Sequence, residues 1–145
     1  MSYTETRYAQ DVHPGEELAP LSIPIDLTTC TLLASATRDF HPLHHNRDYC
    51  QQVRKQKDAV VSGPMLQAFV ARYLNEWAGP GWRLQKVWVR PRGSIFAGDT
   101  ITLRGKVSKV TASYSQGIVE IEATIANQQG PQVLAGGTVT LPARK

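Results

Sequence analysis

One stretch of the 145-residue chain gathers the side chains that could move a proton: Asp39-Phe40-His41-Pro42-Leu43-His44-His45. Here a carboxylate and several imidazoles crowd around a forced change of backbone direction. The Pro42 ring disfavours a helical conformation at His41. A helix ending near Asp39 would leave that carboxylate at the end of an element and His44 just past a turn. An Asp–His pair held in this way can share one water or one substrate proton, which is general acid–base chemistry. Two other readings stay open. Asp at a helix end is often a cap or turn former, and His beside Pro is often a packed loop residue. His41, His44 and His45 could instead bind a metal, but the Pro42 turn gives them no regular ligand spacing. No Cys-x-x-Cys pair exists to support a structural zinc site. The two cysteines, Cys30 and Cys50, make no disulfide framework, and Cys30 among small and apolar neighbours reads as a buried structural thiol, not a nucleophile.

The elements that must carry this stretch follow from periodicity and punctuation. Residues 1–20, with Pro14, Gly15 and Pro20, read as an arm laid over a single domain that occupies 1–145. Leu21 to Leu27 alternates as a short edge strand that tolerates Pro24. Thr28 or Thr29 can cap a helix from about Cys30 to Thr37. After the Asp–His turn, Asn46 or Asp48 can cap a short polar helix over Tyr49 to Lys55. Ala59-Val60-Val61-Ser62-Gly63-Pro64 then turns into the strongest helix, with Ser62 as cap and Pro64 suited to the first helical position. Leu66, Phe69, Val70, Tyr73, Leu74 and Trp77 recur at helical spacing, and Met65 and Ala68 widen the apolar surface. The helix therefore reads as core, ended by Ala78-Gly79-Pro80-Gly81. Four strands follow, within Leu84–Pro91, Ile101–Val107, Val119–Ile125 and Val133–Leu141, with Gly136-Gly137 as a candidate bulge. Consecutive strands with short connections favour an antiparallel sheet, and a preceding apolar helix favours an α+β domain in which the sheet wraps that helix.

Composition narrows the function classes. Apolar content of 41% and charged content of 19% suit a globular protein. No apolar run approaches the roughly 18 to 20 residues that span a bilayer. The polar start, Met1 to Tyr8, lacks the apolar middle of a secretory signal, so a cytoplasmic location is expected. The net charge of +4 is concentrated between Gly81 and Val110, where seven cations, Arg83, Lys86, Arg90, Arg92, Arg104, Lys106 and Lys109, face the single acid Asp99. That cluster reads as the solvated face of strands or as an attractor for a phosphate-bearing small molecule. No helix–turn–helix, finger or RNA-binding motif supports nucleic acid as partner.

With the elements in order, the chain resembles the MaoC-like family of hot-dog-fold enoyl-CoA hydratases and dehydratases over about residues 15–141. The family pattern is Asp, one residue, Asn or His, Pro, an aliphatic residue, then His, and Asp39-Phe40-His41-Pro42-Leu43-His44 fits at every position. Val61-Ser62-Gly63-Pro64-Met65 matches the glycine that opens the central helix, and Phe96-Ala97-Gly98-Asp99-Thr100-Ile101 the turn into an exposed strand. Ala36 to Phe40, His44 to Asp48 and Arg72 to Pro80 are further similar to the small subunits of bacterial steroid-side-chain enoyl-CoA hydratases. The resemblance implies a hot-dog domain acting on an acyl-CoA, with Asp39 and His44 on one water. The backbone N–H of Gly63 would be the oxyanion donor, while His41 and Pro42 shape the turn from behind. It implies no metal or redox cofactor, and a homodimer or a heterodimer with a second hot-dog subunit. A hot-dog thioesterase is the alternative; in those resemblances the key acid sits on the central helix, where this chain has Glu76 alone, near the far end.

Overall fold

The computed structural model describes residues 5–144. A 3-10 turn, Ala9–Asp11, leads into β1 (Glu17–Pro24) and α1 (Leu27–Thr37). A second 3-10 turn (Pro42–His44) and one wide π turn (Tyr49–Val53) precede α2 (Gly63–Ala78). The strands β2 (Arg83–Pro91), β3 (Thr100–Ala112), β4 (Gln116–Asn127) and β5 (Gly130–Pro142) complete the chain. All five strands form one antiparallel sheet in the order β1-β3-β4-β5-β2. This is the expected α+β architecture.

The reason α2 sits against the sheet lies in its spacing. Met65, Leu66, Phe69, Val70, Tyr73, Leu74 and Ala78 are buried along one side of it. Alternate residues of the strands meet them: Leu103 and Val107 on β3, Val119, Ile121 and Ile125 on β4, and Val133, Val139 and Leu141 on β5. Each such side chain contributes roughly 1.5–3 kcal/mol on leaving water. The helix is more amphipathic than its composition suggests. Pro64, Gln67, Ala68, Arg72 and Glu76 form an exposed stripe, and Arg72 Nε pairs with Glu76 Oε1 at 2.8 Å. Ala68 therefore does not widen the core.

Several boundaries move for local reasons. Strand β1 starts at Glu17, four residues before the expected strand, because its pairing with β3 continues from Leu21↔Leu103 across a bulge to Glu17↔Lys106. Ala9 and Val12, from the expected arm, are buried against the core; residues 1–4 of that arm lie outside the described residues. Helix α1 is capped by Asp26, whose Oδ1 accepts the Thr29 N–H at 2.6 Å, and not by a threonine. Asn46 caps the next turn by accepting the Tyr49 N–H at 2.9 Å, but a π turn over Tyr49–Val53 takes the place of the helix expected to reach Lys55. Gly136 and Gly137 form no bulge, since both stay in register with Trp88 and Val87. Their role is close approach: a Cβ on Gly136 would lie 2.5 Å from the Ile121 carbonyl oxygen, and one on Gly137 2.7 Å from that of Lys86.

On the outer face of the sheet, Glu17, Lys106 and Glu122 are successive partners across three strands. Lys109 Nζ lies 3.7 Å from Glu120 Oε1, and the Arg90 guanidinium is 5.4 Å from the centre of the Trp88 ring. Acids on the neighbouring strands thus face part of the cation cluster, as in a solvated strand face. Asp99, the acid counted within the cluster, is instead buried at the sheet end. Its Oδ1 accepts from Lys57 Nζ and Gln128 Nε2, both at 2.8 Å. Its Oδ2 accepts from the Phe96 N–H at 2.9 Å and Asn127 Nδ2 at 3.1 Å. Burial alone would raise its pKa, but these hydrogen bonds outweigh burial and hold it at about 2, below the ordinary 3.8. A carboxyl depressed in the folded state stabilises above its unfolded pKa, and that contribution fades as pH falls through the folded value. The stability gap between wild type and Asp99→Asn, read by urea unfolding, is expected to hold from about pH 7 to about pH 4 and to close toward about pH 2.

Candidate active site

The position of Asp39 is set by how α1 ends. Arg38 takes the left-handed conformation (φ 57°), its N–H bonding to the Ser35 carbonyl at 3.2 Å, and the Asp39 N–H bonds to the Ala34 carbonyl at 3.0 Å. This is a Schellman turn, which closes the orphan carbonyls of a helix C-terminus and turns the chain away from its axis. Asp39 is the residue that emerges. His41 then stays extended (φ −61°, ψ 128°), as the following Pro42 demands, and its Nδ1 accepts the Leu43 N–H at 3.1 Å. The 3-10 turn Pro42–His44 follows, closed by the His44 N–H on the His41 carbonyl at 3.0 Å. His41 and Pro42 thus build the turn that carries His44.

The His44 ring is held at both nitrogens. Nδ1 lies 2.7 Å from the Val60 carbonyl oxygen, and Nε2 lies 3.5 Å from Asp39 Oδ2. A carbonyl oxygen can only accept, so Nδ1 carries the hydrogen and neutral His44 has a free lone pair on Nε2. That lone pair faces a carboxylate oxygen, which in its ionised form also only accepts. In that neutral form the two acceptors, 3.5 Å apart, do not hydrogen-bond to each other; a protonated imidazole would pair with the carboxylate directly. A third group that donates to both would satisfy them, and a water has the two O–H bonds this requires. His44 is largely buried and Asp39 partly open to solvent, at 14% and 37% side-chain exposure, so a small molecule can reach the pair from one side. Phe40, beside Asp39, is exposed. His45 Nε2 bonds to the Phe40 carbonyl at 3.0 Å, away from the pair.

Val60 is the contact to the candidate pair that sequence reasoning missed. It belongs to a short extended segment, Ala59–Val61, whose Val60 N–H also bonds the Leu43 carbonyl at 3.0 Å. Three residues beyond Val60, Gly63 opens α2, which puts the two within about 11 Å of each other. The first amides of a helix have no intrahelical partner and sit at its positive end. A Cβ built on Gly63 meets nothing within 4 Å, so the space before it is open. Ser62 holds the N-cap position, but there its N–H contacts Met65 Sδ at 3.4 Å. Its buried hydroxyl has no hydrogen-bond partner among the described residues. Pro64 falls at the second helical position, one later than expected.

Among the described residues no group of three or more His, Cys, Asp and Glu side chains is placed to hold a metal ion. His41 spends its Nδ1 on a backbone amide and His45 its Nε2 on a carbonyl. Cys30 and Cys50 are both buried, and burial, assisted by the charges of Asp58 and Asp26, pushes Cys30 up to about 11, so it remains a thiol. No helix among the described residues is long and apolar enough to cross a membrane.

A long helix enclosed by one five-stranded antiparallel sheet defines the hot-dog fold class. The chain is 32% identical over 130 residues to the 3-oxo-4,17-pregnadiene-20-carboxyl-CoA hydratase beta subunit of Mycobacterium tuberculosis, spanning 90% of this chain and 95% of that one. It matches a chain of the ChsH1–ChsH2 complex from Mycobacterium tuberculosis with a TM-score of 0.82 and 29% identity, over 89% of this chain and 98% of that one. The fold is shared with a MaoC-like dehydratase from Rhodospirillum rubrum, at a TM-score of 0.79 and 16% identity, over 96% and 99% of the two chains. No protein-family model matches the chain. The chain belongs to the MaoC-like hot-dog family of hydratases and dehydratases.

The cap at His41 can be tested by stability alone. Asn at this position retains a side-chain acceptor for the Leu43 N–H, whereas Ala removes it. In urea unfolding, His41→Ala is expected to cost about 1 kcal/mol and His41→Asn only a few tenths, as for other capping residues.

Proposed function

We propose that this chain catalyses the reversible hydration of a trans-2-enoyl-CoA, with Asp39 and His44 acting together on one water. The observation that carries this reading is the facing pair of acceptors, His44 Nε2 and Asp39 Oδ2, 3.5 Å apart. Hydration of a conjugated thioester needs a base for the water that attacks the β-carbon and an acid that protonates the α-carbon. It also needs a site for the negative charge that develops on the thioester oxygen. Asp39 and His44 orient the water and take its first proton. The conjugate acid so formed delivers a proton to the α-carbon, on the same face of the double bond. The Gly63 N–H, at the positive end of α2, receives the enolate-like oxygen. Pro64 has no N–H to offer, so Gly63 carries this role among the first two helical positions. The chemistry asks for no metal or redox cofactor.

The partner follows from the edges of the sheet. Strand β1 is an edge with Pro20, Pro24 and a bulge, all of which discourage pairing. Strand β2 pairs with β5 on one side, and its other edge is open over nine residues with proline only at the end. We infer that β2 joins a second hot-dog subunit. The relative seen in a two-component complex favours a different chain as that subunit, and its name favours a bulky steroid-type acyl group. A thioesterase using an acid on the central helix is disfavoured, because Glu76 sits near the far end of α2 and is engaged by Arg72 at 2.8 Å.

The test follows loss of enoyl-thioester absorbance with substrates from crotonyl-CoA to a steroid enoyl-CoA, for the chain alone and with a partner hot-dog subunit. Asp39→Asn and His44→Ala are each expected to lower the rate about 10² to 10⁴-fold. A near-wild-type rate in either variant would sink the dyad. Release of free thiol without loss of the double bond would reassign the chain to thioester hydrolysis.

A further inference from the structure

The segment Ala59–Val61 is bonded on both sides. Toward the sheet, the Ala59 carbonyl accepts the Ala97 N–H at 2.8 Å, and the Val61 N–H donates to the Ile95 carbonyl at 2.9 Å. Toward the Asp39–His44 turn, Val60 uses its N–H on Leu43 and its carbonyl on His44. Two successive residues of opposite charge precede this segment, and they reach in opposite directions. Lys57 bonds to Asp99 at the sheet end, 2.8 Å away. Asp58 is gripped by Arg47, just past the turn, through Nε at 3.0 and 3.1 Å and Nη2 at 2.9 Å. Asp58 also accepts the Ala59 N–H at 2.7 Å. Asp58 and Asp99 are the two buried carboxylates among the described residues, 8% and 2% exposed. Neither has a hydrogen bond to the Asp39–His44 pair; Asp58 bonds directly to Ala59, and Asp99 reaches the segment through Lys57 and the Phe96 amide.

We propose that Asp99 and Asp58 are positioning residues, which together hold Ala59–Val61 so that the Val60 carbonyl aims the His44 ring and Gly63 stays in step with it. Asp99 holds the segment from the sheet: its Oδ2 orders the Phe96 amide, and residues 95–97 grip Ala59 and Val61. Asp58 holds it from the turn through Arg47. Loosening either clamp disturbs His44 and Gly63 at once, because Val60 and Gly63 share one short stretch of backbone and His44 is tied to that stretch through the Val60 hydrogen bonds. Displacements of about 1 Å in a reacting constellation can cost on the order of 10²-fold in rate. A loss of alignment acts on the chemical step more than on substrate binding.

The inference rests on the reading of His44 as a catalytic group, and its test keeps the two separable. In the chain labelled with ¹⁵N-histidine, the His44 Nδ1–H resonance reports the bond to Val60 without any substrate. Asp99→Asn and Asp58→Asn are expected to shift this resonance and speed its exchange with solvent. In the assembled enzyme the same variants are expected to lower kcat about 10- to 100-fold with KM little changed. Lys57→Gln, which alters a side chain 57% exposed, secures the test should Asp99→Asn fail to fold, with the same effects at smaller size. Val139→Ala, in the core at β5, serves as control: it is expected to lower the melting temperature while leaving kcat and the His44 signal in place. An unmoved His44 resonance in the folded variants would overturn the proposal, as would a kcat loss no larger than that of Val139→Ala. If the chain shows no hydratase activity but the resonance moves, the clamp stands and the assigned reaction falls.

Discussion

A backbone carbonyl can accept a hydrogen bond and cannot donate one. At Val60 that asymmetry decides the tautomer of neutral His44 in the candidate site. It requires the hydrogen of neutral His44 to sit on Nδ1, which leaves Nε2 as a lone pair turned toward Asp39. Were Nδ1 facing an N–H donor instead, Nε2 would carry the hydrogen and simply bond to the carboxylate. The pair would then be closed on itself, with nothing left to hold a water. For neutral His44, one oxygen atom of the main chain thus separates an open acceptor pair from a self-satisfied one.

Several layers of the fold exist to put that carbonyl where it is. The Schellman turn delivers Asp39, the Pro42 turn delivers His44, and the extended segment before α2 delivers Val60. The sheet and the buried face of α2 provide the mass of apolar burial against which these short pieces are fixed. The three deliveries come from separate parts of the chain, and none is rigid alone. Their agreement depends on polar contacts of the kind that cost most when half satisfied, buried carboxylates with several donors each. Such groups are a poor way to gain stability over an apolar core and a good way to specify one geometry.

What the sequence made legible has a physical pattern. Asp39, His41, Pro42 and His44 were readable because a proline restricts its neighbour wherever it occurs, so local chemistry foretold the local turn. Helix α2 was readable because its apolar spacing, the glycine-rich exit and the Ser62–Pro64 entry agree with one another. Val60 was invisible, because its contribution comes from a carbonyl that every residue possesses. Asp99 was counted among surface charges, since only the folded sheet brings Lys57, Asn127 and Gln128 around it. Asp26 took the cap of α1 from the threonines because the helix begins at Leu27, which places Thr28 and Thr29 inside its first turn and leaves the Thr29 N–H for the Asp26 carboxylate. Gly136 and Gly137 looked like a bulge, and their real constraint, the nearness of the Ile121 and Lys86 carbonyls, is set by strands distant in sequence.

Arg38 and Lys55 are the two non-glycine residues with left-handed backbone among those described, at φ 57° and 54°. That conformation costs an ordinary side chain roughly 1–2 kcal/mol. The two positions stand at either end of the loop that carries Asp39, His44 and Arg47. Relaxing them would favour release of that loop as a unit, while the sheet and α2 keep their hydrogen bonds. The site thus sits on a segment bounded by two strained residues, the kind of segment that can open without the rest of the fold. Were that segment to open by itself, circular dichroism would still report a folded protein after the acceptor pair had come apart.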